Sequence, residues 1–206
     1  MPRAASAVGA PPRPEQALVQ RARTGDASAF DALFLRYKDD VYACLWNLLD
    51  GDADLVEDAV GAVFLSAYRS LPRFRGEAAF STWLYRIAVN EAHSRRRQKR
   101  RWNRLGFGAP PLMEQLVAAD AVTGSNSGDT ADPADQVLRT DEDQRLRRAI
   151  RVLPEPYRTP IILRYLNGMD STEVARILGR PSGTVRYQVS RALQLLRERL
   201  GSEWQR

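Results

Sequence analysis

The chain has 206 residues, 44% of them hydrophobic, with 31 Lys and Arg against 25 Asp and Glu, a net charge of +6 and a pI near 9.9. That length builds one large or two small domains with cores of their own, and the basic balance favours polyanionic partners such as nucleic acid or an acidic membrane surface. A single cysteine, Cys44, excludes a disulfide framework and a thiolate metal site.

Residues 1–14, MPRAASAVGAPPRP, carry no apolar core of signal-peptide length and are expected to form a disordered leader. No run of 18 apolar residues occurs, so a cytoplasmic chain without direct membrane insertion is expected. From Asp26 to Leu49 the apolar positions Phe30, Leu33, Phe34, Tyr37, Val41, Cys44, Leu45 and Leu48 recur at spacings of three and four, the stripe of a helix with one buried face. Asp50 and Gly51 end it, and Asp52 or Ala53 opens a second helix with the stripe Leu55, Val56, Ala59, Val63, Phe64, Ala67 and Tyr68, stopping near Leu71 and Pro72. Its first turns carry Asp54, Glu57 and Asp58. These carboxylates either complement the positive end of the helix dipole or form a docking surface for a basic partner.

After the polar loop Arg73 to Ala79, Ser81 or Thr82 can cap a third helix with Leu84, Ile87, Ala88 and Ala92 facing inward. Arg86, Asn90 and Arg97 share another face, with His93 read as a surface side chain. Arg95, Arg96, Arg97, Lys99, Arg100, Arg101 and Arg104 then place seven cations within ten residues. Such a run is either a solvated face or a phosphate track with steeply salt-dependent binding. The aromatics upstream, Phe74, Phe80, Trp83 and Tyr85, are either core or stacking platforms for unpaired bases.

Residues 105–138 hold five acidic groups and no basic one, are rich in Gly, Ala, Ser, Asp and Pro, and lack sustained periodicity. They are expected to form a flexible acidic linker between domains at 15–104 and 139–206. In the second domain a short helix, about Thr172 to Leu178 with Ser171 as cap, precedes Gly179-Arg180-Pro181 and a longer helix, the grammar of a helix-turn-helix. Val185, Val189, Ala192, Leu193, Leu196 and Leu200 form the inner stripe of the longer helix, leaving Arg186, Tyr187, Ser190, Arg191, Gln194 and Arg197 outside, where Arg and Gln can read base edges. Pro160 kinks any helix begun at Pro156, so a start near Thr159 is the other option.

The order of these features resembles the extracytoplasmic-function (ECF) class of bacterial RNA polymerase sigma factors. DADLVEDAVGAVFLSAYRSLPRFRGEAAFSTWLYRIAVNEA is similar to the family's second conserved region, and LPEPYRTPIILRYLNGMDSTEVARILGRPSGTVRYQVSRALQLLRERL to its fourth. The resemblance implies an all-α fold of two small helical domains, the C-terminal one with a helix-turn-helix. It also implies a transcription initiation factor that binds core RNA polymerase, recognises minus-35 and minus-10 elements and promotes melting. Residues implied for the single-stranded minus-10 element are Phe74, Arg75, Gly76, Glu77, Trp83, Arg86, Asn90, Ser94, Arg95, Arg96, Arg97, Lys99 and Arg100. Those implied for the duplex minus-35 element are Arg164, Thr184, Arg186, Tyr187, Ser190 and Arg191, and those for the polymerase Asp54, Glu57, Asp58, Phe64 and Arg69. Tyr187 and Gln188 depart from the family's usual small residue and Arg, pointing to an unusual minus-35 preference, and Met169-Asp170 departs from its usual Leu-Ser. The family also implies an anti-sigma partner.

A stand-alone helix-turn-helix regulator is the competing reading, although it leaves the aromatic and basic helix without a use. An enzyme is not expected: one histidine, one cysteine and no phosphate-cradling glycine loop offer little to build a catalytic, metal or cofactor site from.

Overall fold

The computed structural model describes residues 14–105 and 144–203, so most of the expected leader and nearly all of the expected linker lie outside the described residues. Among the described residues the chain is helical without strands. The elements are α1 (Pro14–Arg23), α2 (Ala27–Leu48), α3 (Ala53–Ser70) with a 3-10 turn at Leu71–Arg73, and α4 (Phe80–Arg104). Residues 144–151 are helical (α5), followed by α6 (Glu155–Ile161), a π-turn at Ile162–Leu166, α7 (Ser171–Leu178) and α8 (Ser182–Glu203).

The N-terminal lobe begins earlier than the apolar spacing suggested. Pro14 opens α1, with its fixed φ suited to a first helical position, and Val19 and Ala22 are buried. Asp26 caps α2 by accepting from the Ala29 amide at 3.2 Å, while Arg21 and Ser28 hold its carboxylate. These bonds lower the Asp26 carboxyl to about 2. Asp52 caps α3 in the same way through the Leu55 amide at 3.2 Å.

Along α2 the expected stripe packs inward, with Val41, Cys44 and Leu45 fully buried. Phe34 meets Phe64 edge-on at 4.8 Å, so Phe64 belongs to the core and is not a docking residue, in contrast to the expectation. Tyr68 was assigned to the core stripe yet is 48% exposed, because its ring leans outward over the edge of Phe30 at 5.0 Å.

The C-terminal lobe resolves the proline question. α6 starts at Glu155 with Pro156 in its first turn, and Pro160 sits inside it. Pro160 has no N–H for the carbonyl four residues back. Immediately after it the backbone widens to five-residue bonding, with the Asn167 amide donating to the Ile162 carbonyl at 3.1 Å. The helix is re-registered without being broken.

α7 is capped by Asp170 and not by Ser171. The Asp170 carboxylate accepts from the Thr172 and Glu173 amides at 2.6 and 2.9 Å, and Glu173 reaches back to the Asp170 amide at 3.0 Å, completing a capping box. Gly179 ends α7 at φ 61°, a left-handed conformation that glycine adopts without penalty, and the chain turns there into α8.

Two measurements check this packing. Burial pushes the Cys44 thiol up to about 12, so it should stay inert to a thiol reagent in native buffer and react only on unfolding. Asp26→Asn keeps the cap but loses the charge. Because the Asp26 carboxyl is lowered on folding, wild type should outperform the variant in urea midpoint above pH 4, and the difference should vanish as pH falls through 2.

Candidate nucleic-acid interface

α4 runs 25 residues and changes character along its length. Phe80 and Trp83 at its start form an aromatic cluster with Phe74 from the preceding loop, centroids 5.0 to 6.2 Å apart, joined by Tyr37 at 5.5 Å from Phe80. Phe74 is only 8% exposed. Its ring anchors the base of the loop and is not an open stacking face, which corrects its assignment as a direct base contact. The loop it anchors, Arg75-Gly76-Glu77, is exposed, with Gly76 at φ 74° where only glycine is unstrained. Trp83 and Tyr85 are half-buried.

The loop and Trp83 form one wall of a cleft of about 810 Å³, and Arg176, Gly179 and Arg180 of the helix-turn-helix form the other. Arg86 crosses this seam: its guanidinium donates to the Arg176 carbonyl and, at 3.3 Å, to the Ile177 carbonyl. Both acceptors sit in the last turn of α7, where carbonyls lack helical partners and the dipole is negative.

The basic run divides by face. Arg95 pairs with Glu91 at 2.6 Å and donates to the Asp58 carbonyl at 3.1 Å, and Lys99 lies 3.5 Å from Asp52, so these two engage α3 and its N-terminal cap. Arg96 and Arg100 turn to the C-terminal lobe, reaching the Glu155 carboxylate at 3.0 and 2.7 Å. Asn90, Ser94, Arg97, Arg101 and Arg104 face solvent. The sequence grouped these cations as one track; the fold places them on three surfaces.

His93 is not a surface side chain. Its side chain is 25% exposed in the seam between the lobes, with Nε2 2.9 Å from the Thr159 hydroxyl and 3.5 Å from Glu155. Burial is the main cause of a pKa below the ordinary value; Glu155 opposes it, and Arg96, Arg97 and Arg180 add to it. Burial pushes the Glu155 carboxyl up, but Arg96 and Arg100 outweigh it and hold the group below its usual range.

On α8, Thr184, Arg186, Tyr187 and Ser190 are exposed and Arg191 is half-buried, with Tyr187 at 65%. Gln188 is buried and accepts from Arg180 at 3.2 Å, so its departure from the family's usual Arg is a packing feature of the turn and not a change at the exposed face. Arg164 is half-buried and donates to the Met169 carbonyl at 3.0 Å, bracing the turn before α7.

Asp54, Glu57, Asp58 and Arg69 are exposed along α3. Leu65 is 49% exposed, and with Ala62, Ser66, Arg69 and Arg73 it lines a shallow recess beside Tyr68. Periodicity could have flagged Leu65, which falls off the stripe of α3. Among the described residues no cluster of His, Cys, Asp or Glu could hold a metal, and no helix is long and apolar enough to cross a membrane.

Comparison with known proteins accounts for this arrangement. Residues 33–102 match the Sigma-70 region 2 family model and residues 143–196 match Sigma-70, region 4. The chain is 35% identical to the ECF RNA polymerase sigma-E factor of Haemophilus influenzae over 189 residues, 90% of this chain and 95% of that protein. It is 36% identical to the Escherichia coli K12 sigma-E factor, covering 88% of this chain and 92% of that one, and 33% identical to the RNA polymerase sigma-H factor of Pseudomonas aeruginosa, covering 88% and 91%. A similar fold occurs in CnrH, solved in complex with the cytosolic domain of CnrY, at a TM-score of 0.62 and 21% identity over 90% of this chain and 96% of that one.

The protein therefore belongs to a class of non-enzymatic, DNA-binding transcription initiation factors. Within it, the chain is a member of the ECF RNA polymerase sigma factors. The match to region 2 as well as region 4 sets aside a stand-alone helix-turn-helix regulator.

The His93 environment carries a testable pH dependence. A histidine whose pKa is lowered on folding binds its proton more readily in the unfolded chain, so its contribution is present above about pH 6.5 and is lost as pH falls below that value. His93→Gln should flatten the urea midpoint between pH 7 and 5.5 relative to wild type.

Proposed function

We propose that this sigma factor brings core RNA polymerase to promoters through three separate surfaces. The outer face of α3, with Asp54, Glu57, Asp58 and Arg69, docks on the polymerase, and Leu65 and Tyr68 supply the apolar contact that Phe64, being buried, cannot. The Arg75-Gly76-Glu77 loop and the α4 residues Trp83, Arg86, Asn90 and Ser94 take the single-stranded minus-10 element. Of the basic run, solvent-facing Arg97 belongs to this surface as a phosphate contact, with Arg96 and Arg100 beside it, whereas Arg95 and Lys99 are held by α3 and its cap. The N-terminal half of α8, with Thr184, Arg186, Tyr187, Ser190 and Arg191, reads the minus-35 duplex, supported by Arg164 behind it.

The observation that carries this reading is the run from Phe74 through α4, where an exposed glycine loop anchored by a packed aromatic cluster leads into a helix that ends in a cationic run. Capturing an unpaired base costs a few kcal/mol of lost stacking, and an aromatic pocket beside cations can return it. Melting coupled to that capture draws on binding energy alone. The chain works in the cytoplasm, where polymerase and promoter DNA are found. An anti-sigma factor is its expected antagonist, as in the Bartonella quintana sigma factor RpoE solved with the anti-sigma factor NepR, which has a similar fold at a TM-score of 0.58.

Abortive transcription by core polymerase on genomic promoter fragments, with and without the protein, tests the reading. Initiation that depends on the protein, with permanganate-reactive thymines near minus ten, is the expected result. Duplex binding by the free chain with neither polymerase binding nor melting would refute it. In the same assay Arg186→Ala should cost about 1–3 kcal/mol in minus-35 recognition and relax the preference at one base pair. Arg97→Ala should weaken minus-10 binding evenly across sequences and lower the salt slope by about 0.7.

A further inference from the structure

The cleft of about 810 Å³ lies between the Arg75-Gly76-Glu77 loop and the turn that joins α7 to α8. Its size falls in the range of about 300–1,000 Å³ usual for small-molecule sites. Five arginines line it, Arg73, Arg75, Arg86, Arg176 and Arg180, against the single carboxylate of Glu77. Local pairing leaves most of that charge in place. Arg75 lies 3.9 Å from Glu77, and Arg86 is engaged by the α7 carbonyls. Among the described residues no carboxylate lies within ion-pair distance of Arg73, Arg176 or Arg180, and Arg180 meets only the neutral amide of Gln188.

The two walls differ in chemistry. On the N-terminal wall Trp83 lines the cleft half-buried, braced by the Phe74 ring at 5.0 Å. Beside it Thr82 lines the cleft at 7% exposure, and among the described residues its hydroxyl has no hydrogen-bond partner. A nearly buried hydroxyl left unpaired by the fold is a group that a ligand can satisfy. The opposite wall carries Arg176 and Arg180. There Arg86 covers the last carbonyls of α7, whose negative dipole end would otherwise repel an anion. A flat ring with hydrogen-bonding edges suits the first wall, and phosphates suit the second, because guanidinium forks bind phosphate oxygens in pairs. We infer that this cleft binds a nucleoside polyphosphate, with the base on Trp83 and Thr82 and the phosphates on Arg176 and Arg180.

Promoter DNA does not use this combination of groups. Arg176 and Arg180 belong to the helix-turn-helix, which the function proposed above places on the minus-35 duplex, so the minus-10 strand meets the first wall alone. A free nucleotide is small enough to use both. The site itself does not depend on that function, but one consequence rests on it: a nucleotide on Trp83 and beside the loop excludes the minus-10 strand, so the two ligands compete.

Isothermal titration calorimetry of the full chain at physiological salt, with ATP, GTP, their nucleosides and inorganic tripolyphosphate, tests the site. The expected result is one-to-one binding of at least one triphosphate, about tenfold tighter than tripolyphosphate, as one base stacked on an aromatic ring allows. The nucleosides alone should bind more weakly still. Arg176→Ala removes an exposed side chain that has no ion pair and should weaken binding about tenfold, whereas Arg148→Ala, equally exposed and outside the cleft, should not. Thr82→Val should weaken binding severalfold yet leave the urea midpoint no lower, since the hydroxyl it removes is unpaired in the fold. Tripolyphosphate bound as tightly as the triphosphates overturns the proposal, because charge alone then accounts for binding. Absence of binding, an equal loss in Arg148→Ala, or an affinity that either Arg176→Ala or Thr82→Val leaves untouched overturns it too. If a triphosphate binds as expected but does not compete with a minus-10 single strand, the site stands and the role of the loop and Trp83 in reading minus-10 fails.

Discussion

Arg158 is 1% exposed, and its Nε finds no hydrogen-bond partner. One terminal nitrogen donates to the Arg151 carbonyl at 3.1 Å and the other to the Asp50 carboxylate across the lobe boundary. Removing the counter-ion of a buried guanidinium costs about 3–5 kcal/mol, so this pair holds the two lobes against each other. The π-turn at Ile162–Leu166 follows directly on the segment that carries Arg158 and Thr159 into the seam.

α4 divides its side chains among the N-terminal core, the C-terminal lobe and solvent. Its inner face, Leu84, Ala88 and Ala92, is committed to the N-terminal core. Arg95 and Lys99 tie it to α3 and its cap. Arg86, Arg96 and Arg100 bond to oxygens of the C-terminal lobe, and the same donors suit phosphate and base oxygens because guanidinium forks recognise both. Arg97, Arg101 and Arg104 keep a solvated positive face of the kind that attracts a polyanion.

The division of labour between lobes also explains which positions tolerate unusual residues. Gln188 is buried and accepts from Arg180, so it is selected by packing within the turn. Tyr187 stands outside at 65% exposure and is free to contact DNA. Met169 is buried and Asp170 caps α7, so that pair decides how α7 starts and leaves the exposed face of α8 as it is.

Periodicity made the all-α fold, the stripes of α2 and α3, and the helix-turn-helix legible in the sequence, because helix formation and amphipathic burial are set by neighbours three and four residues away. The same local rules missed α1, whose few apolar residues give a weak stripe, and misjudged Tyr68, whereas the buried Phe64 kept the stripe position they gave it and Phe74 took the core option they had left open. The Asp170 cap was missed in favour of Ser171 because both residue types satisfy that rule. What only the tertiary structure decided is the fate of the charged and polar groups. Glu155 meets Arg96 across 59 residues, His93 meets Thr159 across 66, and Arg158 meets Asp50 across 108. No local rule reaches such separations: an ion pair is made by whichever surfaces the packed cores bring together.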